Sequence, residues 1–348
     1  MTLSPLSLRK YQLEGIAAIQ KAWDSNKKPM VSVATGGGKT VMIAQLLVES
    51  LPSYKRALII AHTEEIVQQI HRTIHRQYPN SVGIVMGYND DVDAQIIVAS
   101  RQSLGSSRLS RILYNGSFNL IVIDEAHHAT TDNTYGQIVD IVTNKNSKTK
   151  LVGFTATPTR SDQKGTDEEG DLFDEIVFSW TISDGIKGGF LVPPWQIEIK
   201  GNVLDSKNWL QLTMKAYKTY IHSGNRPCLA FFPSVKTSIL FTKYLQRRGY
   251  SAAHIDGNTP KDERESILSA YKNGQIQIVS NMEVLTEGFD APNTSAILLA
   301  RPTRSRTLFT QILGRGLRTA HNKRDCLVVN LVTDDETFTL HDILSHDN

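Results

Sequence analysis

Cysteine is nearly absent from this chain: Cys228 and Cys326 are the two examples in 348 residues. Two thiols cannot build a disulfide framework, nor a zinc site by themselves. Both lie in apolar runs, so buried free thiols are expected, in the cytoplasm or another reducing intracellular compartment. Long apolar runs are missing too. No stretch approaches the roughly 18 consecutive apolar residues of a membrane span. The N-terminus has no basic region followed by an apolar one, as a secretory signal would, and no membrane partner is expected. Strong charge is also lacking. With 38 basic and 35 acidic side chains the formal net charge is +3, too small to identify a partner by itself. Apolar residues at 40% and charged residues at 21% sit near the globular average and exclude a mostly disordered chain. The length implies about two domains.

Charge is unevenly spread. Residues 1–200 carry 20 basic and 21 acidic side chains, whereas residues 201–348 carry 18 and 14. Between Arg301 and Arg324 there are seven basic residues and no acidic one, which fits either phosphate binding or a solvated basic face.

Short Ile- and Val-rich runs alternate with helical patterns along the whole length. Strands are predicted at Met30–Ala34, Ala57–Ala61, Gln95–Ala99, Leu120–Ile123 and Leu151–Thr155. A second set follows at Cys228–Phe232, Ala252–Ile255, Ile276–Ser280, Ala296–Leu299 and Cys326–Leu331. Helices are predicted between them, for instance at Lys39–Glu49, Thr63–Gln77 and Pro260–Lys272. Such alternation predicts α/β domains with parallel sheets covered on both faces. Ser161–Asp171 reads as a polar surface loop, and Pro193-Pro194 as a break in regular structure. The domains are placed at 1–198 and 199–348.

The strongest local signal is Ala34-Thr35-Gly36-Gly37-Gly38-Lys39-Thr40, between a predicted strand and a predicted helix. That is the context of a phosphate loop. Gly36, Gly37 and Gly38 let backbone N–H groups wrap a polyphosphate, and Thr35 belongs to the same turn. The helix beginning near Lys39 adds its positive end. Lys39 reaches the β- and γ-phosphates of ATP, and the Thr40 hydroxyl ligates Mg2+. One departure stands out: Val33 occupies the place of the usual first glycine. The second signal is an apolar strand ending in Asp124-Glu125-Ala126-His127. Ligand groups of doubly wound sheets gather at such strand ends. Asp124 is suited to hold Mg2+, and Glu125 to accept a proton from an attacking water. His71 and His75 lie four apart on a predicted helix, but no third metal ligand accompanies them, so they are read as solvent-facing.

Asp124-Glu125-Ala126-His127 downstream of such a loop resembles the DEAH-box helicases and translocases of superfamily 2. The resemblance runs from about residue 8 to 330. Arg9-Lys10-Tyr11-Gln12 resembles the family's adenine-reading motif, with Gln12 on the adenine edge and Arg9 and Tyr11 supporting it. Ala61-His62-Thr63 and Ser100-Arg101-Gln102 stand where nucleic-acid backbone motifs are expected. Thr155-Ala156-Thr157-Pro158 matches the motif linking ATP state to domain movement, with His127 as the relay. Leu285-Thr286-Glu287-Gly288-Phe289-Asp290 resembles the fifth motif, touching nucleic acid through Thr286 and nucleotide through Gly288 and Asp290. Gln311-Ile312-Leu313-Gly314-Arg315-Gly316-Leu317-Arg318 fits the sixth. The family commonly lacks the glycine replaced here by Val33.

The resemblance implies two RecA-like doubly wound parallel-sheet domains in tandem. ATP would be hydrolysed in the cleft between them, with Arg315 and Arg318 stabilising the γ-phosphoryl transition state. An arginine finger of this kind contributes about 10³–10⁵ in rate. Thr63, Gln102, Thr286 and Ser234 offer hydroxyl and amide groups suited to phosphates rather than base edges, so binding should tolerate sequence. The sixth motif and the segments Leu172–Val177 and Gly189–Pro194 resemble RadD-like repair helicases and the motor parts of type I and type III restriction enzymes. That points to single-stranded or forked DNA. RNA remains a second reading, and an ATP-gated clamp a third. No long aromatic pin for strand separation is evident, so helicase and translocase both stay open. A monomeric motor core is expected, with a separate loading or specificity protein as a partner.

Overall fold

A computed structural model of the chain describes residues 8–50, 56–157, 172–201, 206–286, 289–303, 305–332 and 338–344. The chain divides into two compact units, Met1–Thr181 and Ile182–Asn348. This division falls earlier than the 198/199 boundary expected from sequence. The reason is the strand Pro194–Lys200, which pairs along its whole length with Cys326–Val332 and so belongs to the second sheet. Pro193-Pro194 therefore does not interrupt regular structure. Pro194 opens an edge strand, a position where its missing N–H costs no ladder bond. The predicted loop at Ser161–Asp171 lies outside the described residues.

In the first unit α1 (Lys10–Asp24) leads to β1 (Pro29–Val33), α2 (Lys39–Ser50), β2 (Ala57–Ala61) and α3 (Glu64–His75). Next come β3 (Val82–Met86), β4 (Asn89–Asp90), β5 (Ile96–Ser100), α4 (Ser106–Tyr114), β6 (Leu120–Asp124), α5 (Thr134–Lys145), β7 (Lys150–Thr155) and β8 (Glu175–Trp180). The sheet order is β4-β3-β5-β2-β6-β7-β1-β8. All neighbours are parallel except the β3–β4 hairpin. β1, β2, β5 and β6 are buried at every residue, as expected of strands covered on both faces. Helices α3 and α5 start where a side chain satisfies one of their first N–H groups. Thr63 Oγ1 accepts from Ile66 N at the start of α3, with Glu64 and Glu65 in the first turn and Arg72 and His75 in the last.

The second unit contains α6 (Ile182–Lys187), β9 (Pro194–Lys200), α7 (Ser206–Ala216), β10 (Cys228–Phe231) and α8 (Val235–Gln246). It continues through β11 (Ala252–His254), α9 (Lys261–Lys272), β12 (Ile278–Asn281), β13 (Ala296–Leu299), α10 (Arg306–Gly316), β14 (Cys326–Val332) and α11 (Leu340–Leu344). Its sheet, β11-β12-β10-β13-β14-β9, is parallel throughout. Cys228 and Cys326 are free and buried. Burial pushes both thiols up, Cys326 to about 12, so they stay protonated and unreactive. His71 is half-buried rather than solvent-facing, because it leans on β3, where its ring hydrogen-bonds the Val82 backbone. His75 is exposed. Among the described residues no helix is long and apolar enough to cross a membrane.

One glycine ties the first sheet to the acidic turn. A Cβ on Gly153 of β7 would lie 2.7 Å from the Ala126 Cβ and 2.6 Å from the Phe173 Cζ. Ala126 sits between Glu125 and His127, so filling this gap displaces the turn that carries both. Gly153→Ala is expected to cost about 1–3 kcal/mol, as overpacking does; urea unfolding of the variant against the parent chain measures it.

Candidate functional site

The phosphate loop leaves β1 at Val33 and is pinned at once, because Ala34 N donates to the Trp180 carbonyl at 2.9 Å. Gly37 N then bonds the Ala34 carbonyl at 2.9 Å. Gly36 and Gly38 adopt φ of 92° and 83°, values that side chains other than hydrogen resist. Gly37 is required for a different reason. A Cβ there would lie 2.5 Å from Val33 Cγ1 and 2.7 Å from Trp180 Cζ3. The valine that departs from the usual motif thus forms part of the floor on which the loop rests. Thr35 is buried in the same turn, and Lys39 and Thr40 open α2. The first N–H groups of a helix lack partners within it and attract phosphate.

Arg9, Tyr11 and Gln12 gather at this loop. Tyr11 OH and Gln12 Nε2 both donate to the Gly37 carbonyl, at 2.7 and 3.0 Å. Gln12 Oε1 accepts from Arg9 N at 2.9 Å, and Arg9 Nη1 donates to the Tyr11 hydroxyl at 3.2 Å. Both ends of the Gln12 amide therefore hold protein backbone in this structure. Burial pushes the Tyr11 phenol up, against the pull of Arg9, so it remains a donor. The Tyr11 ring stacks on Trp180, with centroids 4.3 Å apart and planes at 12°.

The acidic turn faces the loop. Lys39 Nζ bonds Glu125 Oε1 at 2.9 Å, and both side chains are largely buried. Glu125 stands at φ 50°, ψ 50°, a left-handed conformation uncommon outside glycine and characteristic of functional turns. Burial pushes the Glu125 carboxyl up. The Lys39 ammonium, the largest opposing influence, acts together with His127 and His128 to outweigh this and hold it near 2. The group is therefore an ionised carboxylate at neutral pH. Next along the turn, His127 Nδ1 lies 2.9 Å from Thr155 Oγ1 and 3.4 Å from Glu125 Oε2. The Thr155 hydroxyl donates to the Thr157 carbonyl at 2.8 Å and accepts from Thr157 N at 3.1 Å. Its one proton being used, it accepts from His127, which fixes the imidazole as the Nδ1–H tautomer. Thr155 and Thr157 are buried, and Pro158 of the same motif lies outside the described residues.

These groups fit magnesium and a nucleoside triphosphate. Magnesium is typically held by one or two carboxylates plus substrate phosphates. Asp124, buried at the end of β6, and Thr40, at the start of α2, are the residues that would hold it. Among the described residues no cluster of three His, Cys, Asp or Glu forms a metal cage.

Thr63 and Gln102 stand at the same edge of the sheet, and Gln102 Nε2 donates to the His62 carbonyl at 3.3 Å. His62 stacks on His128, which in turn lies against His127. Ring contacts thus run from this edge to the acidic turn.

In the second unit Ser234 caps α8, accepting from Thr237 N at 3.2 Å. The Thr286 hydroxyl donates to the Glu283 carbonyl at 2.6 Å. Gly288 lies outside the described residues. Arg315, buried on α10, binds the Thr286 and Phe289 carbonyls at 2.9 and 2.7 Å. Arg318 forms an ion pair with exposed Asp290. The fifth and sixth motifs thereby fasten to each other. Gln311 is buried on the same helix. Sequence reasoning missed Trp180 and His128, and named His62 within its motif without a role. Trp180 carried no signal because its partners lie some 140 residues earlier. A second histidine directly after His127 was a visible cue.

Burial lowers His127 to about 4, only partly opposed by Glu125. The unfolded chain takes up this proton near pH 6.5, so it is protonated first as the pH falls. Stability from this group is complete above about pH 6.5 and is lost progressively down to about pH 4. Between pH 6.5 and 5 the loss is about 1.5 kcal/mol. Urea unfolding at both pH values should show it, and His127→Gln should flatten the slope.

Residues 5–160 match the family described as type III restriction enzyme, res subunit, and residues 212–320 match the helicase conserved C-terminal domain. A Saccharomyces cerevisiae protein named as an ATP-dependent helicase, IRC3, is 32% identical over 365 residues, covering 93% of this chain and 51% of its own. The chain therefore spans about half the length of that relative. Among solved structures, the type ISP restriction-modification enzyme LlaBIII bound to DNA superposes with a TM-score of 0.70 at 17% identity, over 98% of this chain and 28% of that one. Saccharomyces cerevisiae Dbp5 bound to RNA and ADP BeF3 gives 0.66 at 17% identity, over 98% and 91%. These likenesses show the fold, two tandem RecA-like units. Two domain matches in order, together spanning more than half of the chain, place it in superfamily 2 of the helicases, with a motor of the restriction-subunit type.

Proposed function

We propose that the chain is the motor of a DNA helicase or translocase, hydrolysing ATP with Mg2+ to move on single-stranded or partly duplex DNA. The observation that carries this is the continuous line Lys39–Glu125–His127–Thr155–Thr157. It joins the group that meets the γ-phosphate to the segment that follows β7. Glu125, ionised and 2.9 Å from Lys39, is the general base for the attacking water. Asp124 and Thr40 hold magnesium, which neutralises charge on the phosphoryl oxygens. Arg9, Tyr11 and Gln12 support the loop and the nucleotide base, together with Gly288, Asp290 and Gln311. Arg315 is committed to the Thr286 and Phe289 carbonyls. Arg318, held by one exposed carboxylate, is the freer finger.

Thr63, Gln102, Ser234 and Thr286 bind the strand backbone. DNA is favoured by LlaBIII, whose structure is of a DNA complex. An RNA-dependent motor is the second reading, favoured by the RNA complex of Dbp5. A reducing compartment suits the two buried free thiols. Monomeric action with a separate loading or specificity protein completes the proposal.

ATP turnover should rise several-fold with single-stranded DNA. Stimulation by RNA alone would move the chain to the second reading, and no turnover with either would leave a clamp. Glu125→Gln should lower kcat by at least about 10² while retaining nucleotide binding, since general-base catalysis contributes about that much or more. Arg318→Ala should lower kcat by about 10³. Steady-state phosphate release measures both.

A further inference from the structure

The hairpin joining β3 to β4 carries the most exposed aromatic side chain of the described residues. Met86 pairs with Asn89, which leaves Gly87-Tyr88 as a two-residue turn. Gly87 takes φ 56°, as the first position of the hairpin-favoured turns requires. Tyr88 is 107% exposed. A large aromatic ring fully in water at a tight turn adds nothing to the core.

Its position follows from strand register. Val85 of β3 and Ile60 of β2 both pair with Ala99 of β5. Three residues beyond each lie Tyr88, Thr63 and Gln102. All three strands are parallel, so these residues emerge at one sheet edge, on neighbouring strands about 4.8 Å apart. Tyr88 thus extends the row of backbone-binding groups by one strand.

The turn is also braced against the segment bearing Gln102. Gly87 N donates to Ser103 Oγ at 3.3 Å, and Ser103 Oγ is bonded by Ser100 Oγ at 2.8 Å. Arg108 Nη2 donates to the Gly87 carbonyl at 3.1 Å. Arg108 and Arg111 of α4 both pair with Asp90, at 3.0 and 2.5 Å. The ring is therefore presented from a fixed base. Rigid aromatic presentation next to phosphate-binding groups is the arrangement by which single-strand binders stack bases without reading them.

We propose that Tyr88 is a base-stacking platform for the single strand held by Thr63 and Gln102. The inference rests on the nucleic-acid motor reading above and adds a base-dependent contact to a row of backbone contacts. Tyr114, 91% exposed but at the far end of α4, is the matched control.

The test is fluorescence anisotropy with the full chain, using a labelled oligothymidylate and an abasic strand of the same length. Tyr88→Ala should weaken oligothymidylate binding by about five- to tenfold, within the range of one base–aromatic stack. Tyr88→Trp should restore it, and Tyr114→Ala should bind like the parent. On the abasic strand Tyr88→Ala and the parent should bind equally. The inference is overturned if Tyr88→Ala binds oligothymidylate like the parent, or loses as much on the abasic strand. The same Tyr88 dependence on oligouridylate alone would keep the stacking role and move the motor to RNA. Failure of the parent chain to bind any strand, with no stimulated ATP turnover, would instead sink the motor reading and this inference with it.

Discussion

The working edge of the first unit depends on a single constraint, the in-register parallel pairing of its strands. Asp124 is level with Phe154 and Phe154 with Val31, so the acidic turn and the Thr155 segment begin one residue beyond a common line and the phosphate loop, after Val33, three residues beyond it. Side chains alternate faces along a strand, and a slip of one residue in any ladder would turn its exit toward the wrong side. The four strands β1, β2, β5 and β6, buried at every position, resist such slips because every residue would lose its packing.

Upon that frame the electrostatics are poised rather than merely satisfied. A buried carboxylate is costly unless a cation compensates it, and Lys39 is the cation that keeps Glu125 ionised. In the proposed function the same ammonium meets phosphate. Any anion that draws Lys39 away leaves burial as the dominant influence and raises the proton affinity of Glu125. The proposed function would thus link nucleotide binding and base strength through one side chain. His127, neutral because it is buried, reports that change to Thr155 through a tautomer fixed by the threonine's own hydrogen bonds.

Much of this was legible before any coordinates. Gly36 to Thr40 and Asp124 to His127 are contiguous, and their chemistry can be read from local spacing. The long apolar strands were legible for the same reason. β8 and β9 were not, since their residues are only partly apolar and their strand character comes from neighbours far along the chain; β3, wholly apolar, was hidden because five residues broken by Gly83 give no alternation to read. The domain boundary failed with β9, as the pairing of Pro194–Lys200 with Cys326–Val332 spans more than 120 residues. The partners of Arg315 were hidden likewise. An arginine in the sixth motif reads as a free cation until the carbonyls of Thr286 and Phe289 are seen around it. Tyr88 belongs with these. One tyrosine in a polar turn is unremarkable until register sets it beside Gln102.

Trp180 carries a consequence for how the protein is made. It is the wall behind Gly37, the stacking partner of Tyr11 and the acceptor for Ala34, yet it emerges from the ribosome roughly 140 residues after Lys39. At about 5–20 residues per second the nascent chain spends on the order of ten seconds with its glycine loop synthesised but unsupported. On the proposed ATP-driven function, nucleotide affinity would be acquired late in the synthesis of this unit. A partly made chain would compete poorly for cellular ATP, and the order of residues along the chain delays the motor until its first sheet is complete.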